Sequence, residues 1–515
     1  MLSPKPFYNW LSERGSGVLL HPTSFPGEQG IGTLDHSAKH FIEFLLRCKM
    51  SYWQVCPLGP TGFGDSPYQT FSAFAGNPYL IDLKQLVVLE LLKSEDMDPF
   101  LFMPGTRCDY GFLYEQKWPT LSKAYSNFSG NPKEWLELRE EYKSFKKEQR
   151  RWLDTFALFM SLKQQFEGRS WLEWPKPFRT YKAIQTKDLD PTVINRIESH
   201  KFFQFLFFKQ WSSLKLYAND LGIQIIGDIS IFVALDSADV WSHPEYFQLD
   251  TKSFKPKALA GCPPDYFSMN GQLWGNPLYN WKNMKKDSYA WWIDRFKSSF
   301  QFYDIVRIDH FRGFESYWSV QADAETATEG KWVKGPGLPF FKAIQKALPN
   351  AKIIAEDLGH ITPEVTQLLK DTGLPGMAVL QFAFGGGSGN FYLPHNLQSN
   401  SVIYSGTHDN DTTIGWYHSE SEAIQDHVRT YLSVSGDSIG WDFIRTAYKS
   451  VCRLAIFPLQ DLMTLDSPGR MNNPGNALGN WQWRYQTWQL EALTNESADY
   501  LASLGELFGR VPDKS

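Results

Sequence analysis

Eight short apolar runs, rich in β-branched residues and bounded by Gly, Pro or Asn, recur along this chain of 515 residues. Several are apolar almost throughout, which is typical of parallel strands that are covered on both faces. In chain order the runs are GVLLHP from Gly17, YWQVCPL from Tyr52, IQIIGDI from Ile223, DIVRIDH from Asp304, KIIAEDLG from Lys352, GMAVLQFAF from Gly376, SVIYSGTHD from Ser401 and LAIFPLQD from Leu454.

Stretches with helical periodicity separate most of these runs, among them HSAKHFIEFLLRCK, DSYAWWIDRFKSSFQ and TPEVTQLLKDTG. Eight alternations of strand and helix predict an α/β protein with a (β/α)₈ TIM barrel, and a doubly wound open sheet is the alternative. Two connections are too long for a bare barrel. We therefore expect a largely helical insertion over 84–200 and a loop-rich insertion over 232–286, both within a single barrel domain that spans 1–515.

Charge, hydropathy and cysteine usage exclude several classes of protein. The net charge of −5 and the pI near 6.2 leave no basic face, so a nucleic-acid partner is not expected. The longest apolar run, FFQFLFF, is too short to span a bilayer, and the N-terminal stretch lacks the apolar core of a signal peptide. The five cysteines are scattered without CxxC spacing, which is typical of reduced packing residues. We expect a cytoplasmic protein with no membrane partner.

Charged side chains stand where four of the predicted strands end. In a barrel of this type the C-terminal ends of the strands form the floor of the active site. One acidic strand end could be an ion pair that closes the barrel, but four of them, with a cation and an imidazole among them, indicate a place where a substrate binds. The residues are Asp228, Arg307, Asp309, Glu356, Asp357, His408 and Asp409.

Clustered carboxylates fit two kinds of chemistry. Cleavage of a glycosidic bond needs one carboxylate at the anomeric carbon and one carboxylic acid that protonates the leaving oxygen. Carboxylates at a barrel mouth also bind Mg²⁺ in enolase-like enzymes, although no strand-end Lys accompanies the acids here. No acidic loop with EF-hand spacing indicates a structural calcium. From the residues alone, a glycosyl enzyme is favoured over a metal-dependent barrel lyase.

Long composite motifs along almost the whole chain resemble one family. VRIDHFRGFESYW, IIAEDLG and YSGTHDNDTTIGW look like the three sequence blocks of the 4-α-glucanotransferases of the amylomaltase (disproportionating enzyme) family, relatives of the α-amylase superfamily. GDSPYQTFSAFAGNPYLIDL, GDISIFVALDSADVW, GQLWGNPLYNW and RMNNPGNALGNWQWR extend the likeness towards both ends. The resemblance implies transfer of α-1,4-glucan segments between maltooligosaccharides, with glucose as one acceptor and no cofactor.

The same resemblance implies roles for single residues. Asp309 of the RIDHFRG block would be the nucleophile, and Glu356 of AEDLG the general acid/base. Asp409 of THDND would hold sugar hydroxyls and favour the distorted ring of the transition state, with His408 beside it. Arg307 would orient Asp309 and keep it ionised, because a neighbouring cation favours the charged form of a carboxyl group.

Substrate-binding roles follow from three further motifs. Asp228 of GDI and Tyr68 of SPYQ match donor-site residues of the family, although a packed loop tyrosine is the plainer interpretation of Tyr68 from sequence alone. Trp274 of GQLWGNP matches an aromatic residue on a mobile loop, expected over 260–277, that borders the site and contacts glucan. Asp265 and Tyr266 lie in the same loop.

The chain departs from the family pattern at a few positions, none of which is a catalytic carboxylate. We expect these departures to affect loop geometry and acceptor preference. Two other functions stay open from the sequence: an α-1,4-glucan hydrolase with the same carboxylates, and a non-catalytic glucan-binding protein. The departing residues are Ser230 in place of Pro, Cys262, Met269, Asn270 and Asn476.

Overall fold

A computed structural model describes residues 7–62, 64–184, 189–264, 270–476 and 478–511 of the chain. Within these residues twelve β-strands are formed. They are β1 (Gly15–Leu19), β2 (Tyr52–Gln54), β3 (Gln224–Ile229), β4 (Ala258–Cys262), β5 (Gln272–Pro277), β6 (Ile305–Ile308), β7 (Ser316–Gln321), β8 (Gly330–Lys334), β9 (Ile353–Ala355), β10 (Gly376–Val379), β11 (Ser401–Tyr404) and β12 (Leu454–Pro458).

Sixteen α-helices lie in the same described ranges. They are α1 (His36–Arg47), α2 (Leu83–Val88), α3 (Tyr110–Gly130), α4 (Leu136–Glu148), α5 (Arg150–Gln165), α6 (Pro191–Asp220), α7 (Ala238–Ser242), α8 (Trp281–Lys286), α9 (Ala290–Phe302), α10 (Leu338–Ala347), α11 (Pro363–Thr372), α12 (Thr413–Ser419), α13 (Glu422–Leu432), α14 (Ile439–Lys449), α15 (Leu459–Leu462) and α16 (Thr487–Leu507). None of these helices is both long and apolar enough to cross a bilayer.

Eight parallel strands form the barrel, in the order β10-β11-β12-β1-β2-β3-β6-β9. The ring closes between β9 and β10, where the Ala355 amide donates to the Pro375 carbonyl at 2.9 Å. Each of the eight apolar runs of the sequence supplies one barrel strand. The predicted (β/α)₈ barrel is therefore confirmed, and the open sheet is excluded by the closing contact.

Alternation of side chains along the strands explains the apolar runs. One set of alternate residues fills the inside of the barrel, and the residues between them pack outwards against the helices, so both faces of each strand are buried. The inward set includes Leu19, Ile226, Ile305, Ile354, Met377, Val379, Val402, Tyr404, Leu454 and Ile456.

Helices α2 to α6 lie between β2 and β3, in the region where the sequence indicated an insertion over 84–200. The run FFQFLFF falls within α6 and is buried on nearly all sides, because α3, α4 and α5 pack around it. Phe202 of α6 stacks on Phe128 of α3 with ring centroids 4.5 Å apart. A run that is apolar on all sides has to be covered on all sides, and the bundle around α6 provides that cover.

A second, antiparallel sheet has the strand order β5-β4-β7-β8. Its strands β4 and β5 lie within 232–286, where the sequence indicated mostly loop. One face of this sheet packs towards the barrel through Trp274 and Tyr317, which both contact the ring of Phe232. Asp265, Tyr266 and Met269 lie outside the described residues.

Candidate active site

The inward alternation of the barrel strands continues into the polar strand ends. Two residues beyond Ile226 comes Asp228, and two residues beyond Ile354 comes Glu356. On β6 and its extension the same spacing gives Arg307 and Asp309. Because side chains two apart on a strand share a face, these four polar groups are aimed at the mouth of the barrel, above the apolar layers.

Arg307 lies at the centre of this group. Its Nη1 is 2.5 Å from Asp228 Oδ2 and 3.1 Å from Asp309 Oδ1, and its side chain is only 4% exposed. Burial lowers the pKa of Arg307, but the charges of Asp228 and Asp309 outweigh that effect and hold the pKa well above its usual range. The position that a metal ion would take between these two carboxylates is therefore held by a permanent cation.

Asp309 is the more accessible partner of Arg307, with 31% of its side chain exposed. Its enclosed position raises the pKa to about 6, and Asp228 and Asp409 add to that rise, while the charge of Arg307 opposes it. The expected influence of Arg307 is thus present, but it does not outweigh burial. Near pH 7 Asp309 is still mostly ionised, at about nine-tenths.

Glu356 lies beside Asp309 in a different environment. Its Oε1 accepts a hydrogen bond from the Leu358 amide at 2.7 Å, and its Oε2 accepts one from the His310 amide at 2.6 Å. Burial raises the pKa of Glu356 to about 8, and the negative charge of Asp309 contributes to the rise. Near neutral pH, Glu356 is therefore mostly protonated while Asp309 is mostly ionised.

The backbone at His310 makes the second of these hydrogen bonds possible. His310 has a φ of 53°, in the left-handed region that non-glycine residues adopt at a cost of order 1 kcal/mol or more. This conformation ends the β6 strand, turns the chain and directs the His310 amide at Glu356. Sequence reasoning did not assign His310 a role, because a contact made by the main chain leaves no trace in side-chain type.

Tyr68 and Asp228 are in direct contact. The Tyr68 hydroxyl donates to Asp228 Oδ2 at 2.8 Å, so this oxygen receives hydrogen bonds from both Tyr68 and Arg307. The Tyr68 ring stacks on His408 with centroids 5.2 Å apart and planes 16° apart. Trp481 contacts both rings, at 5.9 and 5.7 Å. Tyr68 is therefore joined to the carboxylate cluster and is not only a packed loop residue.

Asp409 is the most exposed of the predicted catalytic carboxylates, at 45% of its side chain. Asn472 Nδ2 donates to Asp409 Oδ1 at 2.6 Å, and His408 Nε2 lies 3.5 Å from Oδ2. Arg470 donates to the Asp409 carbonyl at 2.7 Å. Asn472 and Arg470 were missed as single residues, although the motif RMNNPG that contains them was part of the family resemblance.

A pocket of about 420 Å³ extends from this side of the site. His408 and Arg470 line it, together with Thr407, Asn410 and the buried His21. These imidazole, amide, hydroxyl and guanidinium groups can exchange hydrogen bonds with a polyhydroxylated ligand. Leucine, proline and methionine side chains line much of the rest of the pocket, so it combines these hydrogen-bonding groups with apolar surface.

Trp274 lies on β5, on the side of the site where Glu356 is placed. Its indole meets the His310 ring edge-on, with centroids 4.9 Å apart and planes 86° apart. The indole Nε1 donates to Gln272 Oε1 at 3.1 Å, and Gln69 donates to the Trp274 carbonyl at 3.2 Å. Trp274 is thus held next to the residue whose amide binds the general acid/base candidate.

Asp357 differs from the other strand-end acids. It is buried, and its Oδ1 accepts a hydrogen bond from the Met377 amide at 2.7 Å across the closing seam between β9 and β10. A Cβ at Gly376 would lie 2.7 Å from that same oxygen, so only glycine fits there. Asp357 therefore stabilises the closed barrel, which is the ordinary structural interpretation of an acidic strand end.

No cluster of three or more His, Cys, Asp or Glu side chains in the described parts of the chain is arranged to hold a metal ion. The four buried cysteines, Cys48, Cys56, Cys108 and Cys452, form no disulfide bond. What the site offers chemically is the mostly ionised carboxylate of Asp309, the mostly protonated carboxyl group of Glu356 and a set of hydrogen-bonding groups around them.

Comparison with known proteins gives one consistent result. The family profile described as 4-alpha-glucanotransferase matches residues 20–491. The 4-alpha-glucanotransferases of Thermus thermophilus and Synechocystis are each 47% identical to this chain, over 92% and 97% of it and 94% and 99% of their own lengths. The structure of amylomaltase from Streptococcus agalactiae in complex with acarbose superposes with a TM-score of 0.91 at 38% identity, and covers 97% of this chain and 100% of that one.

Proposed function

This chain belongs to the 4-alpha-glucanotransferase family, and we propose that it moves α-1,4-glucan segments by double displacement, with Asp309 as the nucleophile and Glu356 as the general acid/base. The observation that carries this assignment is the difference in protonation between the two carboxyl groups. Asp309 has a pKa of about 6 and Glu356 one of about 8. Between those values one group can attack while the other can donate a proton.

In the first step an Asp309 oxygen forms a bond to the anomeric carbon of the donor glucan. The bond from that carbon to the leaving oxygen breaks, and Glu356 transfers its proton to this oxygen. The product is a glycosyl ester on Asp309 with inverted configuration. Once Asp309 is esterified its negative charge is gone, so the pKa of Glu356 falls and Glu356 becomes a base.

In the second step the 4-hydroxyl of an acceptor sugar attacks the same carbon. Glu356 takes the hydroxyl proton, the ester bond to Asp309 breaks, and Asp309 leaves as a carboxylate. Two inversions restore the α-configuration. Arg307 stabilises Asp309 as it regains its charge, and Asp228, held by Tyr68, keeps Arg307 in place.

Asp409 and its neighbours are proposed to bind the sugar at the reacting position. The exposed Asp409 carboxylate can accept hydrogen bonds from two adjacent sugar hydroxyls, and Asn472 and His408 fix its orientation. Such bonds stabilise catalysis when they strengthen as the ring flattens towards the transition state. The stacked rings of Tyr68 and His408 form an adjoining wall.

Transfer must outcompete hydrolysis, although water is far more concentrated than any acceptor. Trp274 lies beside His310 on the Glu356 side, where an arriving acceptor has to meet the base. An indole that stacks on a sugar ring gives the acceptor binding energy that water lacks, and it shields the ester. We propose that Trp274 and the surrounding segment 260–277 favour transfer in this way.

Maltooligosaccharides and longer α-1,4-glucans are the proposed donors, and glucose or another glucan end is the proposed acceptor. The two stretches 84–200 and 232–286 are proposed as insertions into one catalytic barrel, with the second bordering the site through Trp274. The four buried cysteines form no disulfide bond, which fits a reducing compartment, so we propose a cytoplasmic location, which cell fractionation would test.

The test is a set of three matched carboxyl variants assayed with maltotriose, with products separated by size. Asp309→Asn should abolish transfer, because a neutral amide cannot form the ester. Glu356→Gln should accumulate an ester on Asp309 from a substrate with an activated leaving group, detectable by mass spectrometry. Asp357→Asn is the control, since an amide oxygen can still accept the Met377 hydrogen bond.

The outcomes discriminate between the candidate functions. Glucose together with oligomers longer than maltotriose, without net gain of reducing ends, indicates transfer; a steady gain indicates a hydrolase. Transfer retained by Asp309→Asn at a tenth of the unmodified rate, or an ester found on another residue, would refute the assignment.

A further inference from the structure

A cleft of about 410 Å³ lies behind the catalytic cluster, and none of the roles above involves it. It is called the Arg295 cleft here and is defined by Thr70, Ser72, Asp228, Ser230, Arg295 and Ser299, which line it with other residues. Most of this polar lining comes from hydroxyl groups. The cleft therefore joins one member of the catalytic cluster, Asp228, to a cation outside that cluster.

Two buried polar atoms on this lining have no hydrogen-bond partner among the described residues: Asp228 Oδ1 and Arg295 Nε. Asp228 uses only its Oδ2 to bind Arg307 and Tyr68. A buried polar atom without a partner is unfavourable, because it loses its hydrogen bonds to water and gains none in the protein. Asp228 Oδ1 is a hydrogen-bond acceptor and Arg295 Nε is a donor, so a bound molecule that both donates and accepts could satisfy both atoms.

Arg295 is an unusual cation. The residue is 4% exposed, and no carboxylate of the described chain lies within 4.0 Å of its guanidinium. Its Nη1 donates to the Ile231 carbonyl at 3.4 Å, and the indoles of Trp291 and Trp292 lie 5.6 and 4.8 Å from its Cζ. These rings hold the guanidinium by cation–π contact and leave its Nε edge available.

The charges around the Arg295 cleft decide which kind of molecule can bind in it. Arg307 is the only cation that contacts the catalytic carboxylates of the described residues, and it faces Asp228 and Asp309 within 3.1 Å. Asp409 adds further negative charge near Asp309. An anion in the cleft would be attracted by Arg295 but repelled by Asp228 and this excess. A neutral molecule that both donates and accepts has no such conflict, and water is the smallest one.

We propose that ordered water in the Arg295 cleft links Arg295 to Asp228 Oδ1, so that Arg295 is a positioning residue for the catalytic cluster. The water holds the Asp228 carboxylate at Oδ1, on the oxygen that Arg307 does not bind. Asp228 in turn holds Arg307 against Asp309. It also brings the field of a second cation to the group. Ser230, where the family pattern has Pro, adds a hydroxyl to the cleft that can hold the same water. This inference rests on the proposed role of Asp309.

The test compares Arg295→Met, which removes the charge and keeps an apolar stem, with Arg295→Lys, which keeps a charge and an N–H donor. Asp309 faces Arg307, Asp228, Asp409 and His408 as well as Glu356, and Arg295 itself faces Asp239 and Tyr279. Loss of one cation from this set favours protonated Asp309. We expect Arg295→Met to raise the acidic midpoint of the kcat/KM pH profile by roughly 0.5–1 unit.

Arg295→Met should also lower kcat by about tenfold while KM changes little, because positioning acts on the reacting groups. Arg295→Lys should retain the unmodified midpoint. Ser299→Ala is the matched control: it lines the same cleft, but its hydroxyl already donates to the Arg295 carbonyl at 2.9 Å. It should change neither quantity.

A crystal structure of the unmodified enzyme at about 1.5 Å resolution tests the link without any variant. Water within hydrogen-bond distance of both Arg295 Nε and Asp228 Oδ1, directly or through one further water, is expected. A dry cleft, a bound anion such as chloride, or a folded Arg295→Met enzyme with an unchanged acidic midpoint would overturn the proposal. If Asp309→Asn is inactive in that case, only the water link fails; an active Asp309→Asn enzyme would instead remove the mechanism itself.

Discussion

The difference in pKa between Asp309 and Glu356 predicts the pH dependence of transfer. In the proposed mechanism the active form has Asp309 ionised and Glu356 protonated, so activity should rise through about pH 6 and fall through about pH 8. With those values about 80% of the enzyme is in the active form near pH 7, and about a tenth of it near pH 5 or pH 9. We therefore expect kcat/KM to fall roughly ninefold over two pH units on either side of the optimum.

A neighbouring carboxylate provides the perturbation that tests this interpretation. Asp228 raises the pKa of Asp309 and competes for Arg307. In Asp228→Asn the negative neighbour is removed and Arg307 can bind Asp309 fully, so the pKa of Asp309 falls. A change of about 1.4 kcal/mol in the interaction would move the acidic midpoint down by about one unit. The alkaline midpoint, set by Glu356 beside Asp309, should move less.

The assay is the initial rate of glucose release from limiting maltotriose, measured between about pH 4 and pH 10 at constant ionic strength, because kcat/KM reports the free enzyme. Circular dichroism at each pH checks that the enzyme stays folded. An acidic midpoint below about pH 4.5, or a rate that stays constant to about pH 9.5, would show that these two carboxyl groups do not set the profile. An upward shift in Asp228→Asn would show that Asp228 does not act through charge.

Three further predictions concern single side chains. Tyr68→Phe removes the 2.8 Å hydrogen bond to Asp228 but keeps the ring on His408, so kcat/KM should fall about tenfold with no loss of thermal stability, whereas equal losses in both would mean that Tyr68 only packs. Trp274→Ala should increase the ratio of reducing ends released to glucan redistributed, and an unchanged ratio with a lower Tm would show a packing role alone. Burial raises the pKa of Glu356 to about 8 from a usual 4.5, so the contribution of Glu356 to folding stability is full below pH 4.5 and is lost as the pH rises towards 8. Glu356→Gln should therefore raise Tm more at pH 9 than at pH 5, and equal rises in Tm at the two pH values would contradict the buried position of the charge.

The barrel could be predicted from the sequence because each strand is apolar on both faces and each is bounded by turn residues. Helix α6 was the harder case. Its run FFQFLFF has no polar face of its own, and only the surrounding α3, α4 and α5 explain it. The sequence indicates loop for β4 and β5, because β5 pairs only with β4, and β4 takes its other partner, β7, from more than fifty residues away in the chain.

The carboxylates of the site could be found from their strand-end positions, whereas their separate roles were implied only by the family resemblance and not by the strand pattern. Nothing in the letters IIAEDLG separates Glu356, which is aimed into the mouth, from Asp357, which is turned to the seam. The alternation of side chains decides between them only once the register of β9 is known. The His310 amide and the Arg295 cleft are tertiary features, and residue type does not indicate either of them.

The seam between β9 and β10 has a consequence for motion. All other neighbouring barrel strands pair through regular ladders, whereas among the described residues this junction is made by the Ala355 amide and the Asp357 carboxylate. Glu356 lies between those two contacts in the chain. The wall that carries it is therefore the least restrained part of the ring, and hydrogen exchange should be fastest there among the barrel strands. Glu356, the proposed general acid/base, thus lies where small displacements disturb the rest of the barrel least.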